Sequence, residues 1–563
     1  MKKRLEFALI VFILLLAASV LTLSSVPPVS RDALTHHLAL PKLYLANGSV
    51  FELPDRVFSY YPMNLDLMYL LPLYLGNDII AKYMHFFFAL MTAFLVFHFL
   101  KKKIGSGFGL FGALLFLSTP VVIKLSTTAY VDLGLAFFST AALLSLLKWR
   151  EQNFKRRYLI VASIWCGLAL GTKYHGLIVF FILTILLLLF FTRITKPEKR
   201  STNQVLNYLI TFAGVALIIF SPWMIRNVIW TNNPIYPLFS STFRPVLNDK
   251  SLALKTIADP GTNKAHGLQK RATLKLNHFS YRAIAFEESG LDIILVPLRI
   301  FFQGRDGKPK YFDGALNPLL LLLPLFILAG NRDDSKSLKI EITALFAFAG
   351  LFIMIIFFAV DMRVRYVLPA VPPLAILASY GLRNLLAMPA RIPTKHGQNA
   401  TLGLICLLVA GLFMQNGRYL VGLFKIIRPL PYISGHIERD AYIEQFRPAI
   451  TVHRYAGQHL KKDAKILGLF LGYRSYYSDR DLVFGNPIFK NAVKQSENAG
   501  QIARYLQSQG LTHLLIRYDL FDRWINDNFT DTEKERGRLF FSGFATRLFT
   551  ERGYGLYAIG TAG

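Results

Sequence analysis

The sequence predicts an all-α polytopic membrane domain of about eleven transmembrane helices, followed by a small extracytoplasmic α/β domain at the C-terminus. Three observations carry that prediction. Of 563 residues, 53% are hydrophobic and 17% charged, where a soluble domain carries roughly 25% charge. The charges gather in short clusters between apolar runs of near twenty residues. Such runs can cross a hydrocarbon core ~30 Å thick as helices, which satisfy their own backbone groups there. Beyond about residue 425 the composition changes to short strand-like and helical-period segments.

The predicted spans are 6–24, 79–100, 106–124, 132–148, 157–173, 177–192, 205–222, 316–330, 340–360, 366–384 and 401–420. The first follows Lys2-Lys3-Arg4 and is trailed by Val26-Pro27-Pro28 rather than by a small-residue cleavage site, so it reads as an uncleaved span. Basic clusters at 2–4, 101–103, 148–157, 193–200, 332–339 and 383–395 alternate with the spans. All six fall on one side if the N-terminus is cytoplasmic. An odd number of spans then places the tail outside. The expected organisation is a membrane domain over 1–424 with external loops 25–78 and 223–315, and a soluble α/β domain of low contact order over 425–563. Within the first loop, 32–46 is amphipathic and 65–75 is apolar but too short to cross, as an interfacial segment would be.

The net charge of +29 first suggests nucleic acid. The distribution argues otherwise, because the lysines and arginines sit where topology signals sit. Cys166 and Cys406 each lie inside an apolar run, which excludes a disulfide framework or a zinc site. Gly107, Gly109 and Gly112 match a dinucleotide fingerprint by letters, but no strand precedes them. Small residues that let helices pack closely account for them.

Ionisable residues at the external ends of the spans are the informative ones, because a charge at membrane depth faces a cavity or a partner. Asp32 stands just past the first span, with His36 and His37 after it. Asp132 opens the fourth span, Lys173 and Tyr174 lie in the turn between the fifth and sixth, and Arg226 and Asn227 follow the seventh. Arg363, Arg365 and Tyr366 precede the tenth. One or two carboxylates facing several cations suit transfer from a phosphate leaving group. A carboxylate takes the proton of an attacking hydroxyl, and cations neutralise the departing phosphate. A glycosidase needs a second carboxyl to protonate its leaving group; a phosphate leaves as an anion, so one aspartate suffices.

These residues resemble a family. Asp32 past the first span, Tyr130-Val131-Asp132, Gly171-Thr172-Lys173-Tyr174, Trp223 through Asn227 with Asn233-Pro234-Ile235-Tyr236-Pro237, and Arg365-Tyr366 with Leu368-Pro369 are similar to motifs of the GT-C glycosyltransferases over roughly 6–385. The branch is that of phospholipid-carrier-dependent enzymes, which includes protein O-mannosyltransferases and lipid A aminoarabinose transferases. The resemblance implies a GT-C-like fold, a multi-pass protein of the bacterial inner membrane, a polyprenyl-phosphate-linked sugar donor, and inverting transfer at the periplasmic face. The acceptor would be a hydroxyl of a glycan, lipid or protein; membrane lipids are the other partners and nucleic acid is not one. By the same analogy Asp32 is the general base, Lys173, Arg226, Arg363, Arg365 and Tyr366 meet the lipid phosphate, and Tyr61 of Tyr60-Tyr61-Pro62 lies near the donor. Asp132, His36, His37, Tyr174 and Asn227 would support them. Relatives often carry two adjacent acidic residues where this chain has Asp32-Ala33. No cofactor is therefore assigned, and a divalent metal stays open. His36, one helical turn after Asp32, is open to a metal or acceptor contact or to a hydrogen-bonded interfacial role. A transporter or lipid flippase is the rival reading; no inverted repeat or span broken at mid-membrane is evident for it.

Overall fold

A computed structural model describes residues 2–194, 202–243, 278–327, 336–359 and 362–560. Most of the basic clusters 193–200 and 332–339, and the middle of the loop 223–315, lie outside the described residues. Helices occupy every predicted span, and the chain is a multi-pass membrane protein. Six described helices are long and apolar enough to cross a membrane, or seven if the bent pair Ser106–Ser118 and Pro120–Ser126 counts as one span. The difference from eleven is one of length. Arg156–Leu170 has 15 residues and Val371–Ala387 has 17, about 22 Å and 26 Å at 1.5 Å per residue. Leu319–Leu325 is a short turn of 7 residues.

The helices pack by small residues and by breaks. At Thr119-Pro120 the chain bends by 64°, because proline cannot continue the preceding hydrogen-bond ladder. A Cβ at Gly112 would stand 2.5 Å from Leu100 Cδ1 and 2.7 Å from Ser379 Oγ. That glycine lets Ser106–Ser118 lie against both Ile79–Ile104 and Val371–Ala387, the packing role expected of the glycine motif. The last long helix, Lys395–Ile427, runs 33 residues, about 50 Å. It buries only Ile405, Leu423 and Asn416, so most of its surface is exposed; Asn416 accepts from Asn317 Nδ2 at 2.8 Å.

After this helix the chain forms a five-stranded sheet of order β2-β1-β3-β5-β4, with β1 Lys465–Leu469, β2 Asp481–Phe484, β3 His513–Arg517, β4 Ala545–Glu551 and β5 Tyr554–Ile559. β2, β1 and β3 are parallel, and β5 and β4 continue antiparallel. Strand alternation sorts the core. Leu467, Leu514 and Ile516 pack under the helices Asn486–Gln495, Ala499–Ser508, Tyr518–Asn528 and Asp531–Gly543. Ile466, Leu515 and Leu556 face the other way, against Ile450–His459. The α/β reading of the tail holds, but its contacts are not local: β1 pairs in parallel with β3, Ile466 opposite His513, and parallel pairing requires such a crossover.

The sheet-bearing tail is seated on the loop 25–78. Ser475 and Tyr476 both donate backbone N–H bonds to the Leu34 carbonyl, at 3.1 and 3.2 Å. Lys42 reaches the Tyr476 carbonyl and Asp479, each at 3.0 Å. Arg56 donates to Ser475 Oγ at 2.6 Å and to the Leu482 carbonyl at 3.1 Å. Tyr476 and Arg439 meet on the buried Asp78 carboxylate, at 2.9 and 2.5 Å. Loop and tail are therefore on the same side of the helical bundle.

Candidate active site

The segment after Pro28 turns into a wide helix, Ala33–His37, in which the Leu38 N–H bonds back to the Ala33 carbonyl at 2.9 Å. Wide turns of this kind are rare and recur at functional sites. Asp32 stands at its head. Its Oδ2 accepts from Arg365 Nη1 at 2.5 Å, with 20% and 19% of the two side chains exposed. Arg365 rides on the tight turn Val364–Ala370, anchored where the Val364 N–H bonds to the Phe312 carbonyl at 2.9 Å. The two partners are 333 residues apart in the chain.

A second ion pair sits beside the first. Lys173 Nζ donates to Asp132 Oδ1 at 2.7 Å, and Asp132 Oδ2 is buried without a hydrogen-bond partner among the described residues. His85 fixes the approach to Asp132: its ring bonds the Thr128 carbonyl through Nδ1 at 2.9 Å and accepts the Leu133 N–H on Nε2 at 3.0 Å. Lys173 is fixed by close approach. A Cβ at Gly171 would lie 2.2 Å from Asn64 Nδ2; the Asn64 N–H bonds the Gly171 carbonyl at 2.9 Å and Asn64 Oδ1 accepts from Trp223 Nε1 at 2.8 Å.

The Tyr366 ring joins the cations. Lys173, Arg365 and Arg363 stand 5.1, 5.0 and 6.0 Å from its centroid, and the His175 ring lies 4.9 Å away. Among the described residues, Arg365 Nε and His175 Nε2 are buried without hydrogen-bond partners. Asp32, Asp132, Lys173, Arg363, Arg365 and Tyr366, far apart in sequence, thus form one group.

A neighbouring group contains the remaining expected residues. Arg226 donates to the Tyr61 carbonyl at 3.1 Å and to Asn227 Oδ1 at 3.0 Å, its guanidinium between the rings of Trp223 and Trp230 at 4.7 and 4.9 Å. Asn227 donates to the Tyr60 carbonyl at 2.9 Å and to Tyr174 Oη at 3.1 Å. The Tyr61 and Tyr174 rings are 5.2 Å apart. These residues pin the 60–63 segment beside Lys173.

The histidines diverge. His36 stacks on Phe58 at 4.2 Å and lies 4.0 Å from the His37 ring. His37 shares a hydrogen bond of 2.7 Å with the buried Asp66 carboxylate. Among the described residues no three His, Cys, Asp or Glu side chains gather as a metal cage.

Electrostatics at Asp32 oppose one another. Burial raises its carboxyl pKa, but the charge and hydrogen bond of Arg365 hold it well below the usual carboxylate range. His36 is driven far below the ordinary imidazole value by burial and then by His37, so it is neutral at pH 7.

Sequence reasoning missed Asp66, Tyr69 and the catalytic-side role of Tyr130. Tyr130 Oη accepts the Asp32 N–H at 3.3 Å, and Tyr69 Oη donates to the Tyr130 carbonyl. Tyr130 had a signal, since it opens the motif that contains Asp132; Asp66 had none, lying in a segment read only as interfacial.

Residues 73–226 match the family described as dolichyl-phosphate-mannose-protein mannosyltransferase. That segment holds Asp132, Lys173, Tyr174 and Arg226, but neither Asp32 nor Arg365. No curated protein sequence matches the chain. In three dimensions the chain is similar to ArnT from Cupriavidus metallidurans in the apo state, with TM-score 0.56 and 13% identity over 98% of this chain and 97% of that one. The same protein bound to undecaprenyl phosphate gives TM-score 0.55, again at 13% identity, 98% and 97%. The Archaeoglobus fulgidus oligosaccharyltransferase in complex with Zn and sulfate gives 0.51 at 12% identity, over 97% of this chain and 73% of that one. In fold along its length, and in sequence over 73–226, the protein resembles the GT-C glycosyltransferases, the superfamily of the protein O-mannosyltransferases and lipid A aminoarabinose transferases.

Proposed function

We propose that this protein transfers a sugar from a polyprenyl phosphate to an acceptor hydroxyl at the periplasmic face of a bacterial inner membrane, with inversion and with Asp32 as general base. The observation that carries the reading is the pairing of Asp32 with Arg365, whose guanidinium shares the Tyr366 ring with Lys173. The undecaprenyl phosphate bound to the similar ArnT supports a polyprenyl carrier here. The tail then lies outside the cytoplasm, together with the loop 25–78.

Paired with Arg365, Asp32 is a poor base, because its proton affinity is suppressed. Donor binding remedies this. The donor's phosphate is a better partner for a guanidinium than a single carboxylate oxygen, and Arg365 shifts toward it. Burial then acts unopposed on Asp32 and raises its proton affinity. The acceptor oxygen bonds to the anomeric carbon as the carbon–oxygen bond to phosphate breaks. The hydroxyl proton passes to Asp32 and the polyprenyl phosphate leaves as an anion held by Arg365 and Lys173. Arg226 acts as a positioning residue through the Tyr61 carbonyl.

Purified protein given a labelled polyprenyl-phosphate sugar should release carrier phosphate; a transporter would not. Asp32→Asn should abolish transfer while the protein inserts and binds polyprenyl phosphate as before. Full activity in that variant would remove Asp32 from the mechanism.

A further inference from the structure

A second feature adjoins Asp32 from the side of the tail. A cavity of about 510 Å³ opens between the wide turn and the sheet, and Leu34, two residues past Asp32, forms part of its wall. Four arginines line it: Arg447, Arg474, Arg517 and Arg552. Two of them are neutralised. Arg517 makes a two-pronged pair with Asp519 at 2.7 and 2.9 Å, and Arg552 pairs with Glu444 at 2.9 Å.

The other two are not. Arg447 donates only from Nη1, to the Phe446 carbonyl at 2.8 Å, and its Nε is buried without a partner. Arg474 makes no hydrogen bond or ion pair among the described residues. Burial and then the charge of Arg447 pull the Arg474 pKa down to about 10, so the Arg474 guanidinium sits in a repulsive field. Arg31, the neighbour of Asp32, adds to that field at both. Arg474 is presented by a loop in which Phe470, Gly472 and Tyr473 all adopt positive φ of 60, 67 and 60°. Two of these carry side chains, a conformation that costs free energy and recurs at ligand sites. Half-buried guanidinium groups without anions are costly in a structure that has no use for them.

We propose that this cavity is the acceptor subsite, and that the acceptor is an anionic molecule whose phosphate or carboxylate is gripped by Arg447 and Arg474. The inference rests on the glycosyl-transfer reading above and supplies the acceptor's chemical class. An oxyanion there neutralises the two arginines, and the wall at Leu34 directs the rest of the molecule toward Asp32. The anion is either a lipid headgroup or a soluble sugar phosphate or acid, which present the same group.

The test uses full-length protein in phosphatidylcholine nanodiscs, with glucose 6-phosphate, dihexanoyl phosphatidic acid and uncharged glucose as probes. One or both phosphates should bind and glucose should not. Arg474→Gln, which breaks no hydrogen bond or ion pair among the described residues, should weaken phosphate binding at least about tenfold while polyprenyl phosphate still binds as to wild type. Binding of glucose 6-phosphate points to a soluble acceptor, and binding of phosphatidic acid alone to a lipid one. If neither phosphate binds, or if Arg474→Gln binds them as wild type does, the subsite is overturned. Carrier-phosphate release from the labelled donor, measured in parallel, judges the transferase reading separately.

Discussion

At Asp32 two opposing influences meet, burial and the Arg365 pairing, and the pairing wins in the free protein. In the free protein the Arg365 pairing keeps the carboxylate ionised far into acid. The pH profile of kcat/KM, which reports the free enzyme, should therefore show no carboxylate limb down to about pH 4. The profile of kcat reports the loaded enzyme, where the phosphate has drawn Arg365 away, and its acid limb should lie at higher pH. Coincident limbs would argue that Arg365 stays on Asp32 during turnover. Stability follows the histidines. His36 and His453 have folded pKa values below the ordinary 6.5, His453 down to about 4, each chiefly through burial. Unfolding lets them take up protons, so their contribution is whole above pH 6.5 and is lost as pH falls from 6.5 toward 4. Each costs up to about 1.4 kcal/mol per pH unit in that window. Thermal unfolding at pH 5 and pH 7 checks this, and an unchanged midpoint would contradict the buried neutral imidazoles.

At the scale of elements, the turn between Arg156–Leu170 and Gly176–Ile194 shows how backbone fit places a functional side chain. A methyl group at Gly171 would strike Asn64, which cannot swing aside without breaking its bond to Trp223. Gly171→Ala should cost about 1–3 kcal/mol of stability and reduce transfer by displacing Lys173; an intact variant would show that Asn64 has other room. The sequence made Lys173 conspicuous because a charge between two apolar runs needs a reason. It was silent on Asn64, an ordinary polar residue in a loop, whose partners lie at positions 171 and 223. The same limit applied to Asp66 and to the unpaired Arg474, because nothing in a linear pattern marks which buried charges find partners. The tail's strands were legible from their composition, but the parallel order of β2, β1 and β3 was not. Apolar runs signalled helices correctly but not their length: Lys395–Ile427 outruns the predicted 401–420, whereas Arg156–Leu170 and Leu319–Leu325 fall short of theirs.

On the scale of the molecule, the loop 25–78 and the tail are joined by a set of hydrogen bonds, with Tyr476 and Tyr477 of the tail packed into the core of the helical domain. Arg56 makes two of them, with 10% of its side chain exposed. Arg56→Ala strands the Leu482 carbonyl and should weaken tail docking by about 1.5–3 kcal/mol. Limited proteolysis between the last long helix and the sheet should accelerate; unchanged cleavage would mean the other contacts suffice.

The pair of N–H bonds from Ser475 and Tyr476 to the Leu34 carbonyl has a mechanical consequence. The strand-loop that bears Arg474 and the turn that bears Asp32 are coupled through a single peptide group, so neither can be displaced alone. A displacement of the loop at Arg474 is therefore passed to the turn at Asp32 through the Leu34 carbonyl, without any large rearrangement of the membrane helices.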